Sequence, residues 1–142
     1  MPFSISHRHE PDGYICPFCD IVRGSDQTAM IWRDDNCIAF LALHQSSTNH
    51  GSLLLRPLGH FENIYVLPEF IGAPCFGVSK KLALAVKAAH GCDGVTVRKH
   101  NEPAGSQDVW HYHVHVVPRF ENDRFCSARL HLLSLEQRIS LA

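Results

Sequence analysis

Hydrophobic and polar positions alternate in short blocks along this chain, interrupted by one long stretch of helical periodicity. Residues 1–13 form a polar arm that ends in the turn signal Pro11-Asp12-Gly13. A short helical turn is expected after Cys16-Pro17-Phe18-Cys19, stopping at Gly24. Thr28 to Arg33 and Cys37 to Leu43 read as two strands of a hairpin joined through Asp34-Asp35-Asn36. Leu53-Leu54-Leu55 is a third strand, ended by Pro57. Phe70 to His90 carries the helical period, strongest from Val78 to Ala89, with Gly91 as C-cap and Pro74 and Gly77 as possible breaks in its first part. Val95 to Lys99 and Val109 to Val117 complete five strands. Beyond Phe120 the chain is polar, with a weak amphipathic stretch from Leu130 to Ile139. Strands interleaved with one main helix and a short second one indicate a single α+β domain.

The chain's 142 residues suit one core, and its formal charge of −1 provides no basic field for gripping a nucleic acid polymer. No apolar run is long enough to span a membrane, and the first residues lack the apolar core of a secretory signal. A reducing cytoplasm with free thiols is therefore the expected setting for the six cysteines, of which Cys37, Cys75 and Cys92 sit among apolar neighbours.

The outlying count is histidine, at 11. Three of these lie in Trp110-His111-Tyr112-His113-Val114-His115-Val116-Val117-Pro118. Alternation in a strand places His111, His113 and His115 on one face, with successive imidazoles roughly 6.6 Å apart. Such a face could hold one metal ion or carry a nucleophilic imidazole, and a nucleophile needs one ring nitrogen free while the other is fixed by a hydrogen bond. The loop just upstream, Asn101 to Asp108, offers donors suited to an anionic phosphoryl group. Cys16-x-x-Cys19 has the spacing of a zinc knuckle, although a redox-active or simply structural pair has the same spacing.

At these residues the chain resembles the histidine-triad (HIT) family. His111-x-His113-x-His115-Val116-Val117 matches the family's His-φ-His-φ-His-φ-φ signature. Cys16-Pro17-Phe18-Cys19-Asp20-Ile21-Val22-x-Gly24, Pro57-x-x-His60-x-x-Asn63-Ile64, Asn101 and Gln107-x-Val109 extend the match over roughly residues 14 to 120. The resemblance implies a five-stranded antiparallel sheet with one main helix and a short second helix, flanked by the arm at 1–13 and an extension at 121–142. It implies a hydrolase or transferase for phosphate-linked, usually nucleotide, substrates that works through a covalent histidine intermediate.

By the same resemblance His113 is the nucleophile, and His115 hydrogen-bonds at the phosphate and leaving group. Asn101 and Gln107 are phosphate-binding, and Asp108 stands where the family often has serine or threonine. A carboxylate beside a phosphate repels it unless protonated or turned away. A structural zinc held by Cys16, Cys19, His60 and His111 is implied, as is a homodimer. Two departures are visible. The histidine five residues before Pro57 is Ser52 here, so either Ser52 replaces it in lining the site or His50 swings in from a shifted loop; replacement is the reading taken. The aspartate that holds ribose hydroxyls aligns with Ala42, two residues after Phe40, in a segment two residues longer than usual. The rival readings are a zinc hydrolase with all three triad histidines on one open metal, and a nucleotide-binding module without turnover.

Overall fold

The computed structural model describes residues 8–24, 27–126 and 130–142. Among these residues three α-helices and seven strands follow in chain order. They are α1 (Pro17–Arg23), β1 (Met30–Arg33), β2 (Cys37–Leu41), β3 (His44–Ser46), β4 (Leu53–Pro57), α2 (Glu69–His90), β5 (Gly94–Lys99), β6 (Val114–Arg119), β7 (Leu130–Leu132) and α3 (Leu135–Ser140). β1, β2, β4, β6 and β5, in that spatial order, form the expected five-stranded antiparallel sheet. No helix among the described residues is long and apolar enough to cross a membrane.

The alternation in β2 explains the layering. Cys37, Ala39 and Leu41 join Leu53, Leu55, Val114 and Val116 on one face, where α2 brings Cys75, Val78, Leu82 and Val86. Ile38, Phe40 and Ala42 face the other way and pack with Leu54 against Cys16, Phe18 and Ile21 of the α1 region. Every residue of β2 is buried because both of its faces are covered. Leu55 is wholly buried, and truncating it to alanine costs about 3 kcal/mol.

Three expectations are corrected. Pro74 does not break α2, which runs unbroken from Glu69 to His90. The carbonyl deprived of a donor is that of Phe70, an exposed residue in the first turn of the helix, where water can satisfy it. The histidine strand begins at Val114 rather than Val109, because the backbone is tied elsewhere: His111 N donates to Val109 O and Tyr112 N to Phe61 O. The tail is more ordered than a weak amphipathic stretch. β7 pairs antiparallel with β3, and α3 begins with a capping box between Ser134 and Gln137.

Candidate active site and metal cluster

α1 starts the site. Pro17 at its first position and Gly24 in the left-handed conformation at its end delimit a helix of under two turns. Cys16 caps its start, and the amides of Cys19 and Asp20 both donate to the Cys16 carbonyl. Cys16 and Cys19, three residues apart, therefore face one side. There they meet His60, from the loop after β4, and His111. Cys16 Sγ lies 3.2 Å and Cys19 Sγ 3.6 Å from His111 Nδ1, Cys19 Sγ lies 3.4 Å from His60 Nδ1, and the two Nδ1 atoms are 3.0 Å apart. A tetrahedral zinc at ordinary bond lengths needs edges of roughly 3.3 Å between two nitrogens and roughly 3.5 Å between nitrogen and sulfur. The four donor atoms, all within 4.8 Å of one another, fit that ion and leave no open position.

The neighbouring chemistry agrees with this fit. His60 Nε2 donates to the Glu10 carboxylate at 2.6 Å, which directs the Nδ1 lone pair into the cluster. Burial lowers His111 to about 2, so the imidazole is held in the neutral form a metal requires; it also pushes the Cys16 thiol up to about 11, so thiolate formation there needs the charge of a bound cation. The arm is tied down beside it. Glu62 accepts the amides of His9 and Glu10, and His9 stacks on Trp110 at 5.9 Å. His9 is thus held in place although it is exposed.

Of the three triad histidines, only His111 belongs to the cluster. His113 and His115 turn into a cavity of about 320 Å³. His113 is 2% exposed, and its Nδ1–H donates to the His111 carbonyl at 2.6 Å. Phe18 meets the His113 ring edge-on at 5.0 Å, and the His115 ring lies 5.0 Å away. His100 stands edge-on to His115 at 5.4 Å. Burial is the main reason His113 is lowered to about 4 and His115 to about 3; the latter is lowered further by His113 and Arg98. Both imidazoles are neutral near pH 7.

Ser52 and Asp108 line the same cavity as His113 and His115. His50 does not swing in; it lies in a separate shallow pocket with His131. Ser52 therefore occupies the wall, its hydroxyl donating to Asn49 O at 3.2 Å. Asn101 and Gln107 are outside the cavity lining. Asn101 Oδ1 accepts the Ile64 amide at 3.0 Å. Both amide hydrogens of Gln107 are committed, to Glu62 O at 2.6 Å and Val109 O at 2.9 Å, while its oxygen accepts the Glu102 amide.

Sequence reasoning missed three contributors. Arg56 is fully buried and donates to the carbonyls of Phe18, Pro57 and Leu58, clamping α1 onto the sheet. Arg98 and Arg138 both reach the cavity wall. The period-2 pattern of β5, with Thr96, Arg98 and His100 on one face, could have found Arg98. Nothing local in the sequence marks Arg138, because only the β3–β7 pairing brings it there. Arg119, partly exposed, grips Asp123 through Nε and an Nη, each at 2.7 Å.

Residues 23–122 match the family model of the HIT domain. Among curated relatives, Protein hit of Bacillus subtilis is 30% identical over 74% of this chain and 71% of its own length. Adenylylsulfatase HINT3 of Arabidopsis thaliana is 30% identical over 88% of this chain, which spans 64% of that protein. Among solved structures, a Hit-like protein from Bartonella henselae superposes with a TM-score of 0.79 at 28% identity, covering 89% of this chain and 90% of that one. A zinc-bound histidine-triad protein from Mycobacterium smegmatis gives 0.76 at 28% identity, covering 89% and 88%. The chain belongs to the HIT family, whose members generally bind nucleotides and act as hydrolases or transferases.

Proposed function

We propose that this protein breaks or transfers a phosphate-linked bond, in a nucleotide or a compound like one, through a covalent intermediate on His113. The observation that carries this reading is the hydrogen bond from His113 Nδ1–H to the His111 carbonyl. It fixes the tautomer, so the lone pair is on Nε2, in a ring that lines the cavity. Nε2 attacks phosphorus and forms an N–P bond as the bond from phosphorus to the leaving group breaks. Water or another acceptor then attacks phosphorus, the N–P bond breaks, and neutral His113 returns. His115, 5.0 Å from His113 ring to ring, hydrogen-bonds at the phosphoryl and leaving-group side. Asp108 faces the bound group and Ser52 lines the far end of the same cavity, while Gln107 and Asn101 brace the loop that leads into the triad. The name adenylylsulfatase, carried by the Arabidopsis relative, supports a nucleotidyl group as the one transferred.

Cys16, Cys19, His60 and His111 would hold a structural zinc, and the zinc-bound mycobacterial neighbour supports that choice of metal. With all four positions taken by protein, such an ion supplies rigidity and no activated water. A homodimer belongs to the same proposal, testable by sedimentation.

The test uses adenosine 5′-phosphoramidate with the parent protein and with His113→Ala. The parent turns over, and rapid acid quench followed by peptide mass spectrometry finds a nucleotidyl adduct on His113. Equal turnover by His113→Ala, or an adduct on another residue, overturns the reading.

A further inference from the structure

Arg98 and Arg138 enter the cavity from different elements. Arg98 lies opposite His115 in the β5–β6 register, so the two side chains share a face and a row. That row continues across the sheet through Leu54 to Phe40. Arg138 comes from α3. Its approach is set by β7, where Leu132 pairs with His44 and Leu133 N donates to Leu43 O at 3.1 Å. The Ser134–Gln137 capping box then fixes where the helix starts. Ala42, Leu43 and Arg138 line the same cavity.

Among the described residues no ion pair joins either guanidinium to a carboxylate, and the Nε atoms of both are buried without a hydrogen-bond partner. Arg138 is 8% exposed. The contact that Arg98 does make is with the ring of Phe125 at 4.6 Å, itself part of the cavity wall. An arginine removed from water without a partner costs several kcal/mol. Arg138 in that state, with the half-buried Arg98 on the same cavity, describes a place for an anion.

The anion that Arg138 meets is not the group attacked by His113; Arg98, in the row of His115, stands between the two positions. Rows of one sheet face recur roughly every 6.6 Å along a strand. The row of His113 and Arg56 is followed by that of His115 and Leu54, then by that of Ser52 and Ala42. The Ala42 end, where α3 is anchored, is therefore roughly 13 Å from His113, beyond the span of one phosphoryl group. A carboxylate in such a place accepts hydrogen bonds from sugar hydroxyls, whereas an arginine selects phosphate. Here the residue that follows β2 on that wall is Ala42, and the charged residue is Arg138.

We infer that Arg98 and Arg138 form a second anion subsite, and that the substrate is a bis-anionic phosphate compound with one phosphoryl group at His113 and another anionic group at these arginines. This rests on the proposed function for the identity of the reacting end. A nucleotide with an additional phosphate on its sugar fits that description, and so does a non-nucleoside bisphosphate.

Titration calorimetry on the full chain tests it with adenosine 5′-monophosphate, adenosine 2′,5′- and 3′,5′-bisphosphate, and a hexose bisphosphate. At least one bisphosphate binds tenfold or more tighter than the monophosphate, and added salt shrinks the ratio. In Arg138→Gln and Arg98→Gln, each checked for native circular dichroism, the ratio falls toward one. Arg138→Lys keeps part of it, because a cation remains, and serves where the glutamine variant does not fold. Preference for the adenosine compounds assigns the second anion to a nucleotide, and preference for the hexose compound assigns it to another phosphate ester. Equal binding, no bisphosphate binding, or a ratio that survives in both glutamine variants overturns the subsite. Because the readout is binding, a preference that persists in His113→Ala while the parent forms no adduct would refute the nucleophile and leave the subsite standing.

Discussion

The Nδ1 atom of His113 lies 2.6 Å from the backbone carbonyl oxygen of His111, and the ring of that same His111 belongs to the four-donor cluster. One residue thus faces two ways. Its side chain ties β6 to α1, and its carbonyl orients the neighbouring imidazole. If zinc is structural, removing it leaves that carbonyl in the chain but lets it move. Exhaustive chelation is expected to lower kcat by about tenfold to a hundredfold, the cost typical of loosening a supporting shell. Activity should stay above that of His113→Ala. A chelated, folded sample with no activity at all would favour a catalytic metal, and zinc absent from protein purified without a tag would remove the cluster's proposed role.

Arg56 is the second support. Among the described residues its guanidinium has no carboxylate partner, and it donates to three carbonyls, one of them Phe18 O at 2.7 Å between Cys16 and Cys19. Replacing it with methionine removes a buried charge but leaves those carbonyls without donors, at about 1–3 kcal/mol each. Arg56→Met is expected to lose about 3 kcal/mol net in urea unfolding and to bind zinc less tightly. A midpoint equal to the parent's would mean water replaces the guanidinium without cost.

The parts of this site that were legible in the sequence are those encoded locally. Cys16-x-x-Cys19 marks a turn that puts two thiols together, and the alternation at 111–115 marks a common face even though the strand itself begins only at Val114. Pro74 looked like a break because a proline rule says nothing of whether the freed carbonyl reaches water. Arg56 and Arg138 were not legible for a different reason. Arg56 sits in an apolar run and is satisfied by carbonyls from α1 and the loop after β4. Arg138 depends on a pairing between β3 and β7 that joins residues more than eighty positions apart. Neither relation leaves a periodic trace. Ser52 shows the converse, a local departure whose consequence needed the fold: it fills the wall while His50 faces another pocket.

Lys99 gives a pH signature on the opposite face. It pairs with Val114 in the β5–β6 register, and its ammonium lies 5.0 Å from the Tyr112 ring. Burial lowers it to about 8. In the unfolded chain it titrates near its ordinary value of about 10.4. Between pH 8 and that value the unfolded state binds more protons at this residue, so its contribution to stability rises with pH and is least favourable below 8. Cysteine titration overlaps this range, so the informative quantity is the difference between the parent and Lys99→Met. The parent should gain stability relative to the variant from pH 8 to 10; parallel unfolding curves would show that the ammonium is not desolvated.

Asp108 and the bound anion should oppose each other. The carboxylate is exposed and lines the cavity beside His113 and His115. Two unit charges roughly 6 Å apart repel by about 0.7 kcal/mol in water and about 3 kcal/mol at the lower effective dielectric of a protein surface. Exposure places this pair toward the low end, near 1 kcal/mol, or roughly a fivefold change in binding. Asp108→Asn, nearly isosteric, is expected to lower KM for a phosphoramidate by about threefold to fivefold in dilute buffer. The gain should shrink as salt screens the interaction. A KM that is unchanged at low ionic strength would mean that Asp108 turns away when substrate enters. A KM that rises would mean that its carboxylate accepts a hydrogen bond from the substrate instead of repelling it.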